Sequence, residues 1–125
     1  MDLSQSILRT IKLMLGLNDD ITAFDTELIV HINAVFTILN QLGVGPDEGF
    51  MIYGYDETWD QLTDQVPLAT MVKELIYLKV RMIFDPPASS VVADAYNQRI
   101  AELEWRMNIQ AERIAALAEK EAAVP

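Results

Sequence analysis

From Val92 to Leu117 apolar side chains recur at steps of four, four, three, four, four, three and three: Val92, Tyr96, Ile100, Leu103, Met107, Ala111, Ile114 and Leu117. Only an α-helix gathers residues so spaced on one face, because a strand alternates its side chains between two. Ser89 or Ser90 can cap this helix, and Asp85-Pro86-Pro87 stands just before it, where two prolines stop any helix arriving from upstream. The pattern predicts one helix to about Ala122, roughly 30 residues and so ~45 Å at ~1.5 Å per residue. That is about as long as a domain of 125 residues is wide.

Upstream of the prolines the periodicity is helical as well. Ile7, Leu8, Ile11, Met14 and Leu15 mark a short amphipathic helix over Ser4 to Leu15, closed by Gly16. After the polar turn Asn18-Asp19-Asp20, Thr22 or Asp25 can cap a second helix whose stripe is Leu28, Ile29, Ile32, Val35, Phe36, Leu39 and Leu42, stopped by Gly43 and Gly45-Pro46. Val44 to about Asp56 is glycine-rich and reads as a loop with a possible extended piece, Phe50 to Tyr53; a short acidic helix over Asp56 to Asp64 follows, with Trp59 and Leu62 facing the body. From Pro67 to Phe84 apolar residues fall on nearly every side, as in a central helix. The fold class is therefore all-α: a small bundle of about four helices with a long C-terminal helix. Two units are expected within it, a helical domain over residues 1–108 and a helix extension and tail over 109–125.

The second half of the last helix outruns helices of about 18 residues, so Ile114 and Leu117 lack an obvious partner within one subunit. Trp105 is rotated about 200° from Leu103, and Ile109 lies one turn beyond it. Trp105, Ile109, Ile114 and Leu117 are thus candidates for a contact with a subunit or partner, with cover by a neighbouring loop as the alternative.

Charge is unevenly spread. The net charge is −10, and no lysine or arginine occurs between Lys12 and Lys73, an interval holding Asp19, Asp20, Asp25, Glu27, Asp47, Glu48, Asp56, Glu57, Asp60 and Asp64. Such a chain is not built to grip nucleic acid through its phosphates. The acids are either ordinary solvated loop residues, or a surface that avoids something negative or docks on something positive. There is no basic, apolar leader at the N-terminus, and no stretch approaches the roughly 18 apolar residues of a membrane span, so neither export nor a membrane partner is expected.

Chemistry finds no foothold. Without cysteine there is no disulfide, thiol nucleophile or cysteine metal site, and the single His31, with Glu27 four residues earlier, reads as an edge histidine making an ordinary hydrogen bond. A calcium loop starting at Asn18 fails, since Ala23 occupies the glycine position and Ile29 the final ligand; Asp25 and Glu27 suit the positive end of a helix instead. The glycines at 43, 45 and 49 match no phosphate loop, the serines at 4, 6, 89 and 90 stand where caps belong, and Glu102 and Glu104 do not share a helical face. No catalytic residue, cofactor or metal is expected, and the chain does not read as an enzyme.

The order of segments is nonetheless specific. A short helix ending Leu13-Met14-Leu15-Gly16-Leu17 leads through Asn18-Asp19-Asp20 to Phe24-Asp25-Thr26-Glu27-Leu28, and a second helix runs from His31-Ile32-Asn33 to Leu42-Gly43. The central helix closes with Phe84-Asp85-Pro86-Pro87, and the last one carries Glu104-Trp105-Arg106-Met107-Asn108. Over about residues 5 to 112 this resembles the head-tail connector, or adaptor, proteins of tailed double-stranded DNA bacteriophages. The resemblance implies a structural virion protein that forms a ring, commonly of twelve subunits, beneath the portal protein. Such a ring extends the DNA channel at the neck and offers a docking surface to a stopper or tail-completion protein, after assembly in the host cytoplasm. It implies no catalytic residues. On that footing Asp47, Glu48, Asp56, Glu57, Asp60 and Asp64 are candidate channel-lining acids, past which DNA would travel without specific binding. The alternative from another class is a small acidic regulatory protein that mimics DNA and occupies a basic site on a nucleic-acid enzyme.

Overall fold

A computed structural model describes residues 1–123. Five helices follow one another, α1 (Ile7–Met14), α2 (Asp25–Gln41), α3 (Trp59–Leu62), α4 (Val66–Phe84) and α5 (Ser90–Ala122), with no strand among the described residues. The fold is the all-α bundle with a long last helix. Val124 and Pro125, the end of the expected tail, lie outside the described residues.

Local chemistry sets the helix ends. Ser6 caps α1, its Oγ accepting from the Arg9 N–H at 3.3 Å. The helix starts there rather than at Ser4 because the N–H and hydroxyl of Ser4 both donate to Asp2, which folds residues 2–4 into a separate turn. α1 and α2 close in the same way: Gly16 and Gly43 take positive φ (81° and 86°), and the next residues, Leu17 and Val44, donate back to the carbonyls of Lys12 and Leu39. Ser89 caps α5 through the Val92 N–H. For α2 the expected side-chain cap is absent: Phe24 occupies the N-cap, and Asp25 is the first helical residue, its carboxylate committed elsewhere.

α4 is central, as its all-round apolar pattern requires, and packs on α5, α2 and α1. Leu68, Val72, Leu75, Ile76 and Val80 meet Ile7, Leu8 and Ile11 of α1 and Leu28, Ile32, Val35 and Leu39 of α2 in one core. At the lower end of α4, Phe84 meets the edge of Phe24 with ring centres 5.0 Å apart. The segment between α2 and α4 is a long loop carrying α3, and its four inward anchors, Val44, Ile52, Trp59 and Leu62, are buried. Asn33 on α2 holds its middle by both hands, donating to the Ile52 carbonyl (2.9 Å) and accepting from the Ile52 N–H (2.8 Å). Phe50 packs edge-on against Phe36 at 5.1 Å. The expected helix over Asp56 to Asp64 shrinks to the single turn of α3, because Thr58 and Gln61 form a capping box at its start and Thr63 is already extended.

α5 corrects the expectation of how the last helix packs. Its buried residues are Leu103, Met107 and Ala111, in the middle, whereas Val91 and Val92 at its start are exposed. Ile114 is not left without a partner in the subunit, since it packs half-buried against the core. The reason lies in the turn after α2, which lies against Ala111: a Cβ on Gly43 would stand 3.6 Å from the Ala111 Cβ, an ordinary van der Waals distance. The body therefore reaches one turn farther along α5 than helix lengths alone suggest.

Candidate assembly surfaces

The interval without surface cations begins before Lys12, because Lys12 is not at the surface. It is wholly buried on the apolar face of α1, one turn after Leu8. Its Nζ donates to the Ile21 carbonyl and to the Tyr55 hydroxyl, each at 2.6 Å. The Tyr55 hydroxyl in turn donates to Asp25 Oδ2 at 2.7 Å. Asp25 Oδ1 lies 2.8 Å from Nζ without hydrogen-bond alignment, so charge alone holds that contact. Desolvation opposes the ammonium, but Asp25 and Tyr55 outweigh it and raise the Lys12 pKa. Desolvation likewise opposes the Asp25 carboxylate, and Lys12 and Tyr55 reverse that and lower its pKa. This cluster ties α1, the head of α2 and the long loop together. By sequence Asp25 reads as a helix cap, although a lysine four residues after Leu8, on an apolar stripe, is the sign of a buried partner.

With Lys12 consumed inside and Arg9 bonded to Asp19 at 2.8 Å, the long loop and α3 expose carboxylates with no free base between them. The six acids proposed as channel-lining do not gather in one cluster. Asp47, Glu48, Asp56, Asp60 and Asp64 are exposed. Glu57 is half-buried and braces the loop. Its Oε1 accepts from the N–H groups of Tyr53 (3.1 Å) and Gly54 (3.3 Å), and its carbonyl accepts from Ile7 (3.0 Å). Asp60 accepts from the Thr58 hydroxyl and Asp64 from the Gln65 amide. Glu48 borders a cleft of about 510 Å³ with Phe36, Asn40, Phe50 and Tyr53, while Asp64 borders a separate hollow of about 290 Å³ with Gly45, Leu62 and Ile114.

The candidate contact residues on α5 separate into two sets. Trp105 is 63% exposed and stands with Ile109 on the face turned from the core, and Leu117 is exposed farther along. Ile114 faces inward. Beside Trp105 the charges are paired: Glu102 accepts from Arg106 Nε at 2.9 Å and contacts Arg99 at 3.2 Å, and Arg99 also binds Glu74 on α4 at 2.8 Å. Arg106 first, then Arg99, hold the Glu102 carboxyl below its ordinary pKa. His31 lies 3.7 Å from Glu27, beyond hydrogen-bond distance, so the two do not form an acid–base pair. No group of three or more histidines or carboxylates is placed to hold a metal ion among the described residues.

The phage connector protein family matches residues 7–114, from the first residue of α1 to the last inward-facing residue of α5. The chain belongs to this family. No curated protein and no solved structure matches it. As a connector it is a structural protein of a bacteriophage, and the matched span of the connector includes the loop, α3, Trp105 and Ile109. Leu117 and the alanine-rich end of α5 fall beyond the span.

Proposed function

We propose that this connector forms a ring at the virion neck, beneath the portal protein, that prolongs the DNA channel and carries a docking surface for a stopper or tail-completion protein. The family match carries the reading. Two physical features support it. The acidic loop and α3 present carboxylates unrelieved by any lysine or arginine between Lys12 and Lys73, and Lys12 is internal. A phosphate backbone sliding past such a wall meets no cation to hold it, whereas each bound phosphate would act as a brake. In this reading Asp47, Glu48, Asp56, Asp60 and Asp64 face the bore and Glu57 shapes the turn that displays them. The second feature is α5, whose outer face and last turns leave Trp105, Ile109 and Leu117 open to solvent. They are the surfaces for a neighbouring subunit and for the portal, and within the expected extension from residue 109 it is the turns beyond Ile114, which leave the core, that reach the portal.

Mixing the full chain with purified portal protein of the same phage and imaging by electron microscopy tests the proposal. An added ring of density at the narrow end of the portal is the expected result. Portals that remain bare at protein concentrations well above those of the portal overturn it.

A further inference from the structure

We infer that copies of this chain dock head to tail, the Trp105 indole of one entering a groove between α2, α4 and α5 of the next; this rests on the ring reading and names its contact. The groove has a volume of about 360 Å³ and is walled chiefly by Val35, Ile38, Val80, Ile83 and Ile100. Ile38 and Ile83 stand 37% and 61% exposed at its mouth. That is apolar surface with no partner in the subunit. Lys79 contributes its stem to the wall, while its Nζ is neutralised by Glu104 at 2.8 Å. Asn97 at the rim offers an acceptor, which a buried indole N–H requires.

The occupant follows from the rest of the surface. Of the two tryptophans, Trp59 is fully buried and Trp105 is not. Ile109, one turn on, widens the apolar knob, and the neighbouring charges Glu102 and Arg106 are already paired, so docking need not strand them. Tyr53 is more exposed but stands close to Glu48, Asp56 and Glu57, whose charges would then border an apolar groove. Knob and groove face different ways: Trp105 is about 140° around α5 from Ile100 and takes no part in the groove wall. Two unlike surfaces on one chain make a heterologous contact, which propagates and closes into a ring when the rotation permits. The contact is also small. An aromatic anchor buries about 150–250 Å², against about 800 Å² per partner in a standard stable interface, so two copies alone hold weakly and closure or a template is needed.

The test follows self-association of the full chain by sedimentation and tryptophan emission at about 1 M salt, where the Debye length is about 3 Å and repulsion between acidic copies is suppressed. Association should grow with protein concentration and move Trp105 emission to the blue, with buried Trp59 as internal reference. Trp105→Ala removes the knob; Ile83→Arg blocks the groove while lowering the negative charge, so repulsion cannot explain its effect. Each variant alone should associate at least about tenfold more weakly. An equimolar mixture should stop at dimers, because only one knob and one groove remain between them. Both sites are exposed, and circular dichroism verifies the fold; Ile38→Arg replaces Ile83→Arg if that variant does not fold. Wild-type protein that stays monomeric at millimolar concentration, association that neither variant weakens, or a mixture that grows past dimers overturns the inference. Portal binding by the same preparations is read separately, so a failed self-contact is distinguished from a failed connector role.

Discussion

Lys12 is the residue on which the head of the bundle turns. A buried ammonium is tolerated only where its donors are met and its charge is balanced; here the Ile21 carbonyl and the Tyr55 hydroxyl accept from it and the Asp25 carboxylate balances its charge. Lys12→Met leaves Asp25 without its counter-charge and should cost about 3–5 kcal/mol in denaturant unfolding, whereas Lys12→Met with Asp25→Leu should recover part of that loss. The pH dependence has a definite sign. Because the Asp25 pKa is lowered from 3.8, its stabilisation is present above that value and is lost as pH falls through the folded pKa. Because the Lys12 pKa is raised from 10.5, its stabilisation is present below that value and is lost as pH rises through the higher folded pKa. The cluster is therefore fully formed between these limits, and acid unfolding of the wild type should show a steeper loss below about pH 4 than Asp25→Asn does, measured as unfolding free energy against pH. Gly43 is the second decisive residue. At φ 86° a side chain is strained by about 1–2 kcal/mol, so Gly43→Ala should lower stability by about that amount in denaturant unfolding, and Gly49→Ala at φ 92° should do the same, because the added Cβ makes an ordinary contact with Ala111 in the first case and meets nothing within 4 Å in the second.

The elements divide into those whose limits were legible in the sequence and those that were not, and the physics of their ends explains which. Ser89, Gly16, Gly43 and Asp85-Pro86-Pro87 act on neighbouring backbone groups, so their meaning is contained in a few residues. The long loop is different. Ile52 is fully buried in a segment without helix or strand, and what fixes it is the Asn33 side chain 19 residues earlier, a pairing no local pattern encodes. Asn33→Ala strands both the N–H and the C=O of Ile52, at about 1–3 kcal/mol for each group left unsatisfied. Hydrogen exchange should show the Ile52 and Tyr53 amides losing protection while α4 and the middle of α5 keep theirs. α5 itself shows the limit of periodicity: the seam identified which face turns inward, but the depth of contact along it depended on Gly43 and on Ala111, a small residue that gives the seam little weight. The candidate site followed the same division, since the exposure of Trp105 came from its angle on the helix, while the structural duty of Glu57 came from a turn that only the folded loop creates. The packing of Ile114 also decides where α5 can be cut. A chain ending at Ala115 keeps Ala111 and Ile114 on the core and should retain its helical circular dichroism and cooperative unfolding. If the last turns are the portal contact, it should no longer bind portals; retained binding would remove Leu117 from that role.

At the scale of the whole molecule, two opposing terms govern assembly. Each subunit brings a net charge of −10, concentrated in the interval from Lys12 to Lys73, and a ring that turns this interval inward places like charges across a narrow bore. Repulsion of this kind falls with ionic strength, the Debye length shrinking from about 30 Å at 0.01 M to about 3 Å at 1 M salt. The attractive contacts available, around Trp105, Ile109 and the groove by Ile83, are apolar and change little over the same range. The isolated connector should therefore be a monomer or small oligomer at low salt, association should increase with salt, and a portal template should supply at low salt what screening supplies at high salt by holding subunits at high local concentration. Native mass spectrometry of the isolated chain checks this. A closed ring that persists at low salt without the portal would mean that the acids do not face one another across the bore, and the assignment of Asp47, Glu48, Asp56, Asp60 and Asp64 to the channel wall would fall with it. If the low-salt monomer is observed, replacing Asp56 and Asp60 together by asparagine should shift association to lower salt. Equal replacement of Glu119 and Glu121, at the far end of α5, should leave the salt dependence nearly unchanged, which separates charge at the bore from net charge alone.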